Sequence, residues 1–420
     1  MFKKDDDIPD YIRTNDSYRN LESENRHIRS KYRRALLAYF ILGLCNNFSF
    51  IALLTAATDI IRINLIEHEK PSTNHTRTEE PRACTGISSA IILLAEVLSA
   101  TIFSFIIPFV PILVHFKILL CVVMTAVGYC FIASAERAIK LAMVGVVFIS
   151  ISCVMGEATL LQYTAYFHGN VISTWSAGTG VAGVFGALSY TLAAEKHYKY
   201  TMLGMISMPI LTALTFWILL PVPTELDKQS VVIQRAFNER EVKTPWAILK
   251  KKSHLLPRAL YKFIAPLGLV YFLAYYINQG LYELVVVDDK IIAEKVQYHW
   301  LQVAFHTGSF ISRSSATCIY IRYIWIMTLF QLINAVVFTT TAIYWYIENY
   351  WVLLFLAVEE GLFAGAAYVN TFVKIGKEEP EEDKQFMSSM TCFGNNAGMV
   401  LAGSSAMLAH RLICKLPPPK

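Results

Sequence analysis

Residues 35–61 read ALLAYFILGLCNNFSFIALLTAATDII. No charged residue interrupts the run before Asp59. A helix of this length rises about 40 Å at 1.5 Å per residue, enough to cross a hydrocarbon core of about 30 Å. An uncharged apolar run longer than about 18 residues reads as a membrane span. Residues 1–34 ahead of it are polar, and the run is too long for the apolar part of a cleavable signal peptide, so it serves as a signal anchor.

Working outward, the same pattern recurs along the 420 residues. Apolar segments follow at 87–107, 118–134, 139–161, 175–194 and 202–222. After a polar stretch come 260–287, 298–319, 324–346, 351–373 and 387–409. The segment at 298–319 is the least apolar, because it carries His299, His306 and Arg313. Composition agrees: 55% of residues are hydrophobic and 16% charged, against about 25% charged in a soluble domain. Mean hydropathy is +0.43. The fold class is therefore all-α integral membrane, with about eleven transmembrane helices in two bundles of six and five.

Lys and Arg set the orientation. They crowd the tail at 1–34 and the linker at 223–259, and both are expected in the cytosol. Six helices separate the two, the even number this placement requires. The N-terminal bundle then covers 35–222, with a luminal loop at 62–86, and the C-terminal bundle covers 260–409. That luminal loop carries Asn74-His75-Thr76, a sequon on the side where glycosylation occurs. Eleven helices leave the tail 410–420 in the lumen, although Arg411, Lys415 and Lys420 lean the other way. Of eight cysteines, six lie in apolar segments and behave as small hydrophobes. Cys84 and Cys414 lie outside the membrane, and with a luminal C-terminus they share an oxidising compartment in which they can pair. The net charge of +5 follows topology; no nucleic-acid patch is indicated.

Six helices, a basic linker and five helices suggest an internal repeat. Asn46-Asn47 in helix 1 echoes Asn278-Gln279 in helix 7. Gly156-Glu157 in helix 4 echoes Glu360-Gly361 in helix 10. Helices 5 and 11 are both glycine-rich. Helices 1, 4, 7 and 10 line the cavity in a two-bundle transporter of the major facilitator type, and polar residues recur in those four.

A charged group at the centre of a membrane helix costs about 3 kcal/mol unless protein or water receives it, so each one is informative. Glu157, Glu283 and Glu360 are candidates for proton coupling; the alternative for each is an inter-helix hydrogen bond. Adjacent Glu359 and Glu360 cannot both face one cavity, and Glu360 fits the helix 4 pattern better. Asp59 and Glu96 read as helix-end or packing groups. Asn46, Asn47, Asn278, Gln279 and Asn370 offer amides suited to hydroxyl or phosphate oxygens, or to helix packing. Arg313, among Ser312, Ser314 and Ser315, suits a gating contact or a phosphate. Tyr18-Arg19-Asn20-Leu21 fits a Tyr-x-x-hydrophobic sorting code for adaptor proteins. Gly178-x-Gly180-x-x-Gly183 spells a dinucleotide fingerprint but lies inside an apolar span without a preceding strand; its glycines let helices approach closely. No hydrolase, metal-ligand or nucleotide motif appears, so neither catalytic residues nor a cofactor or metal are expected.

Several of these runs resemble the battenin (Batten disease protein) family of lysosomal membrane proteins. They are Leu42-Gly43-Leu44-Cys45-Asn46-Asn47-Phe48-Ser49, Gly156-Glu157, Trp175 through Tyr190, Ile277-Asn278-Gln279-Gly280-Leu281, Ser312-Arg313-Ser314-Ser315, and Glu360-Gly361 through Phe372. The resemblance implies a major-facilitator-like fold in lysosomal and late endosomal membranes. It also implies a part in clearing glycerophosphodiesters, the deacylated remains of phospholipids, and links to lysosomal pH and basic amino acids. The expected function is alternating-access export of such a phosphodiester from lumen to cytosol, with membrane lipids as surroundings. The competing expectations are a basic amino acid transporter, a membrane scaffold that regulates trafficking, and an intramembrane lipid-modifying enzyme; the last lacks a recognisable nucleophile–base pair. The linker departs from the family pattern in lacking a clear acidic dileucine signal.

Overall fold

The computed structural model describes residues 10–65, 84, 88–106, 113–135, 138–164, 167, 171–194, 198–223, 253–287, 292–314 and 320–417. Among them the secondary structure is helical throughout. Helix α1 (Asp10–Thr55) is followed by a short continuation, Ala57–Leu65. Then come α2 (Ala90–Ile106), α3 (Val114–Ser134), α4 (Ile139–Tyr163), α5 (Val171–Ala194) and α6 (Tyr198–Leu219). The second half holds α7 (Leu256–Leu281), α8 (Glu294–Ser314), α9 (Ile324–Tyr344), α10 (Tyr350–Glu378) and α11 (Glu381–Ile413). These helices correspond to the eleven apolar segments of the sequence. Most ends shift by a few residues, and the largest difference lies ahead of the first span. The residues read as a tail, 10–34, continue the first span as helix, because no Pro or Gly interrupts them.

Among the described residues, seven helices are long and apolar enough to cross a membrane on their own: α1 over Arg29–Thr55, α3, α4, α6, α7, α9 and α10. The remaining four are α2, α5, α8 and α11. Packing explains the division. Helix α5 packs on α8, and α2 on α11, so these four form the seam between the bundles. They face protein on more sides and tolerate polar residues. Helices α3, α6 and α9 lie outermost and show bare apolar faces: Phe116, Leu119 and Val123; Ile210, Leu214 and Ile218; Ile326, Leu329 and Ile333. Those faces suit lipid.

The repeat is visible in the pairings. The α1·α5 pair of the first bundle matches α7·α11 of the second, and α2·α4 matches α8·α10. Close approach at glycine makes both inner pairs possible. A methyl group on Gly43 would lie 2.5 Å from the carbonyl oxygen of Trp175, and one on Gly178 would overlap the carbonyl of Phe40. In the second bundle Gly268 meets Gly394 and Gly398 in the same way. Helix α5 has glycines on a second face as well. Gly180 and Gly183 abut Phe310 and His306 of α8 across the seam.

Each bundle has its own core. Phe48, Leu53, Tyr129, Ile132, Val146 and Tyr190 are buried together in the first. Leu267, Val270, Leu301, Phe338 and Leu353 lie at the centre of the second, whose core also takes in Leu54, Leu93 and Val97 from across the seam.

Candidate functional site

Consecutive spans run in opposite directions, so the ends of α1, α7 and α11 and the starts of α2 and α8 share one side. Cys84 and Cys414 are joined by a disulfide on that side. We call it the disulfide side, and the opposite one the tail side.

Polar contacts close the seam on the disulfide side. Glu283, just beyond the last turn of α7, accepts from Ser88 Oγ at 2.6 Å and from Ser89 N at 3.0 Å. Its Oε1 also lies 2.8 Å from Nδ1 of His410, near the end of α11. Ser89 Oγ donates to the carbonyl of Gln279 at 2.8 Å. Tyr298 of α8 donates to the carbonyl of Leu54 in α1 at 2.8 Å. A second contact lies nearby: His299 Nε2 is 3.2 Å from Asp59 Oδ2, which accepts from Tyr190 of α5 at 2.8 Å. Glu283, His299 and His410 are all buried. A carboxylate out of water needs several donors, and here it has them.

The tail half of the seam is different. Arg313, in the last turn of α8, donates from Nη2 to Tyr271 Oη at 2.9 Å. Its guanidinium lies 4.6 Å from the ring centre of Tyr368 in α10. Tyr271 stacks on Tyr275 at 5.9 Å and sits 6.1 Å from Tyr368. These aromatic rings pin the arginine fork, while its Nε is buried without a hydrogen-bond partner. Opposite, Glu157 of α4 is exposed, within electrostatic reach of Tyr368 and of Cys392 of α11, both in the other bundle. It therefore faces the cleft between the bundles. Among the described residues it has no hydrogen-bond or ion-pair partner. The cleft thus presents a cation on one wall and an anion on the other.

The remaining predicted residues fall elsewhere. Asn46 Nδ2 donates to the carbonyl of Cys153 at 3.1 Å and packs on Gly156, tying α1 to α4. Asn47 is half-buried and bonds to no described residue. Asn278 and Gln279 are buried in a wide π turn, Ile277–Leu281, at the disulfide-side closure. There Gln279 Oε1 accepts from Tyr298 at 3.1 Å, and the Asn278 carbonyl accepts from Gln302 at 2.9 Å. Asn370 Oδ1 accepts from Ile321 N at 2.7 Å and so holds the α8–α9 connection. Glu360 differs from the pattern that paired it with Glu157. It is fully buried inside the second bundle and accepts from Tyr282 Oη at 2.6 Å, while Glu359 is the partly exposed neighbour. The helical register rotates Glu360 toward α7, where a tyrosine receives it. Tyr18 and Leu21 fall on α1. Asn74 lies outside the described residues.

Ser88, Ser89, Tyr190 and His410 are not singled out by the sequence, and Asp59 and His299 receive no joint role from it. The available signal was the recurrence of acid and imidazole within about two turns of helix ends assigned to one side. Among the described residues no group of three or more His, Cys, Asp or Glu has the arrangement to hold a metal ion.

Comparison with known proteins agrees with this architecture. The family profile described as CLN3 protein matches residues 37–245 and 228–416. Battenin of Canis lupus familiaris is 31% identical over 94% of this chain and 95% of its own length. Protein btn1 of Aspergillus fumigatus is 26% identical over 91% and 88%. Among solved structures, a D-xylose-proton symporter superposes with a TM-score of 0.60 at 10% identity, covering 92% of this chain and 98% of that one. A mutant of the nucleoside transporter NupG gives 0.61 at 11% identity, covering 90% and 96%. At such identities the likeness concerns the fold, two bundles of the major facilitator kind. The profile matches and the battenin identity run from one end of the membrane region to the other, and by them this multi-pass membrane protein belongs to the CLN3 family.

Proposed function

We propose that the protein is a transporter of the lysosomal membrane that exports glycerophosphodiesters from lumen to cytosol by alternating access. One observation carries the reading. The seam is fastened by polar contacts on the disulfide side, while toward the tail side it holds a pinned arginine opposite an unpartnered carboxylate. An arginine with an unused N–H suits one phosphate oxyanion. Solved structures of like fold are named as symporters and transporters, which supports the class of activity. With the tail side cytosolic and the disulfide side luminal, this conformation is the one that releases substrate to the cytosol.

Glu157 is the group best placed to couple transport to protons. It faces the cleft, with Tyr368 and Cys392 across from it and Cys153 on its own helix. Glu283 and Glu360 are instead held by hydrogen bonds and serve closure and bundle packing. The test is uptake of a labelled glycerophosphodiester into proteoliposomes, with and without a proton gradient. Saturable uptake that responds to the gradient and loses the response in Glu157→Gln is the expected result. Absence of uptake by folded protein in both conditions overturns the proposal in favour of a scaffold.

A further inference from the structure

Helix α8 carries a polar stripe along the seam. Gln302, His306 and Arg313 fall within about 40° of one another around its axis at 3.6 residues per turn. Gln302 and His306 are buried. Among the described residues each of the three has one buried atom without a hydrogen-bond partner: Gln302 Oε1, His306 Nε2 and Arg313 Nε. Their other contacts hold them in place. Gln302 donates from Nε2 to the carbonyl of Asn278 at 2.9 Å, and Arg313 donates from Nη2 to Tyr271. A buried polar atom left unmatched is costly, and three on one face of one helix are a pattern that packing alone does not explain.

The stripe faces the other bundle. A methyl group on Gly183 of α5 would lie 3.2 Å from His306 Nδ1, and Gly180 lies against Phe310 one turn further on. Tyr298, one turn before Gln302, donates to the carbonyl of Leu54 in α1. Residues four apart share a helix face, so Gln302 lies between two positions that both touch the first bundle. Glycine on α5 puts no side chain into the stripe. Parting the seam on the disulfide side therefore uncovers His306 and Gln302. His306 and Arg313 are then about 10 Å apart along the axis, a span on the scale of a small phosphodiester.

We infer that Gln302 and His306 bind the glycerol hydroxyls of the substrate whose phosphate sits on Arg313. This rests on the transport reading and adds to it two specificity-determining residues. A hydroxyl both donates and accepts, so it satisfies an amide oxygen and an imidazole nitrogen alike. An ester that lacks the hydroxyls leaves both atoms unmatched and is rejected on that ground. Acylation of the glycerol removes the same donors, so the stripe separates a deacylated diester from a lysophospholipid.

The experiment uses the full-length protein with two esters, glycerophosphocholine and its analogue in which propyl replaces glycerol. In proteoliposomes the glycerol ester is expected to compete at least about tenfold better for uptake of labelled glycerophosphocholine. Ligand-induced thermal stabilisation of the detergent-solubilised protein reads binding without turnover and should show the same order. Gln302→Met and His306→Leu are compared by that second readout. Each should raise the half-effective concentration of the glycerol ester about fivefold or more and leave that of the propyl ester within twofold. His306→Gln, which keeps a hydrogen-bonding group, should retain most of the preference. The wild-type comparison stands even where a variant does not fold. Equal binding of the two esters by the wild type overturns the inference and leaves the transport proposal standing. So does a preference unchanged in both variants, or an equal weakening of both esters. If the wild type transports neither ester and neither stabilises it, the transport proposal fails and this inference with it.

Discussion

Ser88 Oγ donates to Glu283 Oε1 at 2.6 Å, which fastens the approach to α2 in one bundle to the end of α7 in the other. The same carboxylate receives Ser89 N and lies beside His410, so a single side chain draws three helices together. Removing it leaves a buried hydroxyl and a backbone N–H without their acceptor and takes the carboxylate away from His410.

The Glu283→Ala protein should therefore lose about 2–3 kcal/mol of stability, and Ser88→Ala only about 1 kcal/mol, since the carboxylate keeps its other donors. Thermal unfolding of the purified protein in detergent measures both. Equal small shifts in the two variants would show that Glu283 does not hold this closure together.

Thiol counting tests the Cys84–Cys414 bridge. The sequence has eight cysteines, and eight minus the bridged two leaves six. Denatured, unreduced protein should take up six maleimide labels, and reduced protein eight. Cys414→Ser should take up seven in either state. Eight labels without reductant would rule the bridge out.

Arg313 is held by a planar contact that lysine cannot reproduce: a fork that donates to Tyr271 while lying over Tyr368. Arg313→Lys should reduce phosphodiester uptake about tenfold or more, with the protein still folded as judged by gel filtration. Uptake within twofold of wild type would mean that a point charge is enough and that the fork geometry has no part in binding.

Helix α5 meets α1 at glycine. A methyl group on Gly178 overlaps the backbone of α1, whereas one on Gly204 meets nothing within 4 Å. Gly178→Ala should cost about 1–3 kcal/mol, the usual range for overpacking a fitted contact. Gly204→Ala should be near neutral. Unfolding midpoints of the two, side by side, decide the matter; a neutral Gly178→Ala would mean that α5 can withdraw from α1 at no cost.

The spans were legible because lipid demands an apolar face over a fixed length, and outer helices such as α3, α6 and α9 state it plainly. Helix α8 was the hardest span to read because it lies in the seam, where His299 and His306 meet protein instead of lipid. The polar residues of the interior could be found but not sorted. Asn46 and Glu157 look alike in sequence, each a polar group in an apolar run. Only the rotation of each helix decides that Asn46 bonds to the carbonyl of Cys153 while Glu157 faces the cleft. Glu360 shows the same point against a sequence echo. It matched Glu157 by neighbouring glycine, yet one step along α10 turns it into the bundle and onto Tyr282. The grouping of Ser88, Glu283 and His410 was out of reach for a further reason: its members come from segments separated by 195 and 127 positions (283 − 88 and 410 − 283).

The disulfide bears on kinetics as well as on architecture. Cys84 precedes Ser88 by four residues, and Cys414 follows His410 by four (88 − 84 and 414 − 410). When Glu283 lets go and a mouth opens on the disulfide side, the groups that must return to it stay on a short leash. Their reunion is an intramolecular event at high effective concentration, not a search by two drifting bundles. Each opening of this mouth therefore begins its resealing with the partners already at hand. Reduction of the bridge would lengthen the time the mouth stays open without removing any group that closes it.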